Sequence, residues 1–152
     1  MTELGNHARI PGSALVLGIA GLIPFAGGAL ALWMPALVHG AGQGLLVGYG
    51  AMILTFLGGV RWGTAMGPYD GQRQEFEFTA SVLGSLVGLA ALFLPAIPAL
   101  TLLIAGFLVH GLWDVRSVEA GRLPSWYGKL RMMLTAGAEL SLILGLVALT
   151  VI

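Results

Sequence analysis

The chain has 152 residues, 57% of them hydrophobic and only 9% charged, and its mean hydropathy is +0.92. A water-soluble domain carries about 25% charged residues, so this composition excludes a soluble fold and implies lipid as the solvent. Formal net charge is zero with no basic run, which gives no nucleic-acid partner, and the lack of cysteine excludes disulfides, thiolate metal sites and cysteine nucleophiles.

Residues 1–11 form a short polar tail with Glu3, His7 and Arg9, ending at Pro11, which suits a first helical turn. The first apolar span covers residues 12–34, with a kink expected at Pro24, Gly27 and Gly28 and with Trp33 at an interface. It is long and is followed by further spans, so it reads as a retained helix and not as a cleaved signal peptide. Residues 35–44 (PALVHGAGQG) read as a turn without Lys or Arg, and the second span follows at 45–65. A polar connection at 66–77 carries Pro68, Asp70, Arg73, Glu75 and Glu77.

The third span, 78–94, presents Ser81, Gly84, Ser85, Gly88 and Ala91 as a small-residue face and ends at Pro95. PAIP is a tight hairpin into the fourth span, 98–113. The connection 114–130 holds Asp114, Arg116, Glu119, Arg122 and Lys129, with Ser125 after Pro124 as a helix cap and Trp126, Tyr127, Lys129 and Arg131 at the interface. The fifth span is 132–152.

These readings predict an all-α fold: one transmembrane domain over residues 1–152, built as a bundle of five helices. All Lys and Arg residues then fall on one side, so the positive-inside rule predicts a cytoplasmic N-terminus and a C-terminus outside. Residues 31–37 (ALWMPAL) and 91–97 (ALFLPAI) look alike, but apolar sequences draw on few residue types and chance explains the match equally well.

Within the second span, Ala51, Thr55, Gly59 and Gly63 recur every four residues and predict a smooth stripe for helix packing. Four polar residues lie at membrane depth. Glu139 is about seven residues into the fifth span, on the order of 10 Å below the boundary at roughly 1.5 Å per residue. Arg61 lies near the cytoplasmic end of the second span, where it either snorkels or pairs with Glu139. His110 and Asp114 are four apart on one helix face, so the carboxylate could hold the imidazole. Trp62, Trp113, Trp126 and Tyr127 share the cytoplasmic level and Trp33 and Tyr49 the outer one, which two aromatic belts account for; a ligand pocket is the alternative. One histidine and distant carboxylates make no recognisable metal-ligand spacing, no catalytic motif is present, and no cofactor is indicated.

GLIPF at 21–25, YGAMILTFLGGVRWG at 49–63, and Asp114 together with LPSWYGKLRMMLT at 123–135 resemble the small membrane proteins grouped as domain of unknown function 3429. The resemblance implies a multi-span protein of bacterial inner or mitochondrial membranes and supplies no activity. The family pattern often has histidine where this chain has Arg61, so proton transfer through an imidazole there does not carry over. The expected role is non-enzymatic: a cytoplasmic-side cluster of Arg61, Glu139, His110, Asp114, Trp62, Trp126 and Tyr127 that binds or moves a small amphiphile. The second expectation is an accessory or assembly subunit packed in a homo-oligomer or a larger membrane complex.

Overall fold

The computed structural model describes residues 9–34, 36–67 and 71–151. The tail residues 1–8, together with Pro68 and Asp70 of the second connection, lie outside these. Six helices follow in order: α1 (Gly12–Ala20), α2 (Ile23–Leu32), α3 (Ala36–Ala65), α4 (Gly71–Leu92), α5 (Ala96–Glu119) and α6 (Ser125–Val151). Taken together, α1 and α2 make one span, so five stretches are long and apolar enough to cross a membrane: Gly12–Leu32, His39–Ala65, Gly71–Leu92, Ala96–Glu119 and Ser125–Val151. Only 22% of the first apolar window and 33% of each of the others is buried. The outward surface, with Leu17, Phe56, Leu89, Phe93 and Leu140 exposed, is therefore itself apolar, as lipid requires.

The break between α1 and α2 has a local cause. Pro24 has no N–H to donate, and its ring clashes with the carbonyl four residues back, at Ala20, where α1 ends. The interruption leaves backbone carbonyls without helical donors, and the Tyr49 hydroxyl donates to Gly21 O at 3.0 Å. Tyr49 also meets Phe25 edge-on, with centroids 5.1 Å apart, so it is a lock on this break and no part of an outer aromatic belt.

The helices run well past the expected boundaries. Residues 36–44 are the first turns of α3 and not a turn between spans: Gly42 is there for close packing, since a Cβ on it would meet Ala31 Cβ at 2.8 Å and Gly28 O at 2.9 Å. Similarly, α4 starts at Gly71, α5 continues to Glu119 and α6 starts at Ser125, which shortens the last connection to 120–124. Of the charged residues at these ends that read as loop, Glu77, Asp114 and Arg131 are buried in the bundle and pair there, whereas Glu75, Arg116, Glu119 and Lys129 are exposed.

Short connections make successive helices antiparallel neighbours. The tightest crossing is α3 on α4. A Cβ on Gly84 would meet Leu54 O at 2.6 Å, one on Gly88 would meet Ala51 O at 2.7 Å, and one on Gly58 would strike Ser81 O. This close approach corrects the stripe read from the sequence. Ala51 is buried, but Thr55, Gly59 and Gly63 are exposed, and a Cβ on Gly59 or Gly63 would meet nothing. The contact line on α3 runs instead through Ala51, Leu54 and Gly58, at the alternating three- and four-residue spacing of a straight helix face.

Candidate functional site

One end of the bundle carries a chain of buried ion pairs across four helices. Arg61 on α3 is 1% exposed. Its Nη2 donates to Glu77 Oε2 on α4 at 2.7 Å, and its Nη1 donates to Ser117 Oγ at 2.9 Å and Asp114 Oδ1 at 3.3 Å, both on α5. The second oxygen of Glu77 accepts from Arg73 Nη2 at 2.7 Å, one turn away on α4. The second oxygen of Asp114 accepts from Arg131 Nε on α6 at 2.7 Å and from the Tyr127 hydroxyl at 3.4 Å. Charges thus alternate Arg73, Glu77, Arg61, Asp114, Arg131, with each carboxylate bridging two guanidiniums. The Arg61 guanidinium carbon also lies 4.1 Å from the centroid of the Trp113 ring. Sharing carboxylates is what makes burial of these charges tolerable, since an isolated ion would lose several kcal/mol, roughly, on leaving water.

Three expectations are corrected here. Arg61 neither snorkels nor pairs with Glu139; helix α4 begins early enough to bring Glu77 opposite it. Glu139 is buried on α6, and neither of its oxygens has a hydrogen-bond partner among the described residues. His110 is not held by Asp114, whose oxygens face Arg61 and Arg131; its Nδ1 has no partner, and its Nε2 packs over Gly84. Trp62 lies outside the cluster, exposed and edge-on to Phe78. Glu77, Trp113, Ser117 and Arg131 belong to the network although the sequence had placed them in connections, an aromatic belt or nowhere. The available signal was spacing: Arg73 and Glu77 are four apart, as are Trp113 and Ser117, and Ser117 Oγ donates to Trp113 O at 2.9 Å.

Beside this chain lies a cleft of about 410 Å³ between α1 and α2, α3 and α6. Its walls are apolar, including Leu17, Phe25, Ile53, Phe107 and Leu134. Trp126, Tyr127 and Arg131 line it as well, with Trp126 and Tyr127 edge-on to each other. Arg131 is 5% exposed, and its Nη2 makes no hydrogen bond among the described residues. The cleft therefore has an apolar body and a cationic, aromatic end. Among the described residues no three His, Asp or Glu side chains are arranged to hold a metal.

The fold and this site define a multi-pass membrane protein: an all-helical bundle with five apolar spans and a buried polar cluster at one end. The comparisons narrow the class. A model of the family described as protein of unknown function (DUF3429) matches residues 10–147, and the chain belongs to that family. It is 37% identical over 136 residues to transmembrane protein 69 of Xenopus tropicalis, a match covering 88% of this chain and 53% of the relative. The chain thus spans about half the length of that relative. No solved structure matches it.

Proposed function

We propose that this protein is a non-enzymatic membrane protein of a bacterial-type inner membrane that binds a small amphiphile in the cleft between α1, α3 and α6. The cleft carries the reading. Its volume of about 410 Å³ falls within the roughly 300–1,000 Å³ of small-molecule sites. The apolar walls suit a hydrocarbon chain, and Arg131, which lines the cleft and is oriented by Asp114 through Nε, places a cation beside it for an anionic head. In this reading the ion-pair chain is structural: it holds Arg131 in place from the far side of the bundle.

Binding of a fluorescent single-chain fatty acid to the purified protein in neutral detergent tests this. Saturable binding is expected, and Ala14→Trp, which fills the cleft without touching an ion pair, should weaken it at least about tenfold. Equal binding by the two proteins, or none by either, overturns the reading.

The orientation proposed is cytoplasmic for the end bearing the Arg and Lys residues. In this cysteine-free chain, Gln72→Cys should be labelled from the cytoplasmic side and Ala41→Cys from the other; labelling of both from one side refutes the topology.

A second reading, assembly with another membrane protein or a further copy, is favoured by one observation. Gly40, Gly44, Gly48, Gly59 and Gly63 have no neighbour within reach of an added Cβ, which leaves smooth ground along the outside of α3. Native-gel migration after mild solubilisation tests it: a high-mass species lost in Gly59→Leu supports assembly, and an unchanged monomeric mass excludes it.

A further inference from the structure

A second groove, of about 510 Å³, opens where α4, α5 and the 120–124 connection meet, and it shares no lining residue with the amphiphile cleft. Three guanidiniums line it: Arg73 near the start of α4, Arg116 in the last turn of α5, and Arg122 just beyond. No carboxylate is among its lining residues, although Glu77 takes part of the charge of Arg73.

Arg122 is brought there by a specific backbone device. Past the end of α5, Gly121 adopts φ +69°, its N–H donates to Val118 O at 2.9 Å, and the Arg122 N–H donates to Ser117 O at 2.9 Å. This is the glycine-terminated helix end in which the chain folds back on the last turn, so Arg122 returns toward Arg116. The Nε of Arg122 is buried without a hydrogen-bond partner among the described residues. The rest of the groove is apolar: Phe76, Val109 and Leu112 are exposed on the lipid-facing surface, and Trp113 also lines it, its ring centroid 5.8 Å from that of Phe76.

Three arginines lining one groove at the end of the bundle, together with apolar side chains of two membrane-spanning helices, have the two-part chemistry of a phospholipid. Guanidinium forks match phosphate oxygens, and a basic pocket between helices on the positively charged side of a membrane protein suits an anionic headgroup. Three cations converging on one groove favour a phosphate with more than a single negative charge over a zwitterionic headgroup, whose own cation they would repel.

We propose that this groove binds an anionic phospholipid, its phosphate held by Arg73, Arg116 and Arg122 and an acyl chain lying along Phe76, Val109 and Leu112. The site is independent of the amphiphile cleft.

The test is thermal unfolding of the full chain in neutral detergent, titrated separately with dioctanoyl phosphatidic acid, dioctanoyl phosphatidylcholine and inorganic phosphate. Phosphatidic acid should raise Tm saturably and phosphatidylcholine should not. The double variant Arg116→Gln/Arg122→Gln, which spares every buried ion pair, should fold and weaken the phosphatidic acid response at least about tenfold, because two charge-assisted contacts are lost. Ala14→Trp should leave the response unchanged, which separates this site from the cleft. A response retained in the double variant, no response in the parent chain, or an equal response to inorganic phosphate each overturns the proposal.

Discussion

The two ends of this bundle are held together by different physics. At one, Arg73, Glu77, Arg61, Asp114 and Arg131 tie α3, α4, α5 and α6 through directional contacts of 2.7–3.3 Å. At the other no charged side chain is buried among the described residues, and Leu32, Leu46, Leu100, Leu142 and Ala148 interlock by shape. There Leu46 projects between α2 and α6: a Cβ on Gly28 would meet its Cγ at 2.9 Å, and one on Gly145 would strike its Cδ1. In lipid, separating two apolar helices exposes their side chains to another apolar medium, so the shape-packed end gains dispersion contacts and little else. The charged end has no comparable alternative when it separates. The lesson is that register at one end is set by pairing and at the other by small residues admitting large ones.

The sharpest break in that contrast should come from Asp114→Asn. It removes the negative charge shared by Arg61 and Arg131 and turns one of the two acceptor oxygens into an NH2 donor, so a loss of about 3–5 kcal/mol is expected in reversible unfolding in detergent. A double-mutant cycle of Arg61→Gln with Glu77→Gln should be strongly non-additive, the double variant recovering much of the loss. Strict additivity would show that the chain of pairs is not coupled.

Gly84→Leu comes next. Its side chain would meet the α3 backbone at Leu54 O and also displace His110, so a loss on the order of 3 kcal/mol is expected from melting curves. An unchanged melting temperature would mean that α3 and α4 do not cross there.

A smaller effect, about 2 kcal/mol, is expected for Leu100→Ala at the shape-packed end. It leaves a cavity but strands no charge. A loss equal to that of Asp114→Asn would erase the distinction between the two ends.

Gly59→Leu should change monomer stability by less than about 0.5 kcal/mol, since its side chain would point into open space. Its migration on a native gel bears separately on assembly through α3. A large loss in the isolated monomer would restore the packing stripe read from the sequence.

Composition and hydropathy determined by themselves that this is an all-helical, multi-pass membrane protein with five spans, because so few charges and so much apolar length admit no soluble core. Motifs carried the family, and Pro24 carried the break in the first span. Which face of each helix is buried was decided only by the tertiary structure. On α3, glycines at 58 and 59 are chemically identical, and only the approach of α4 makes one indispensable and the other open. Partner choice among the charges was decided the same way. The sequence offered Arg61 only Glu139 or the headgroups, and the early start of α4 and late end of α5, both invisible to a hydropathy reading that ends a span at its first charge, put Glu77 and Asp114 within reach instead and left Glu139 apart. Local sequence sets where a helix can lie in lipid, whereas pairing depends on the rotation and offset of one helix against another, which arise only when all the helices pack together.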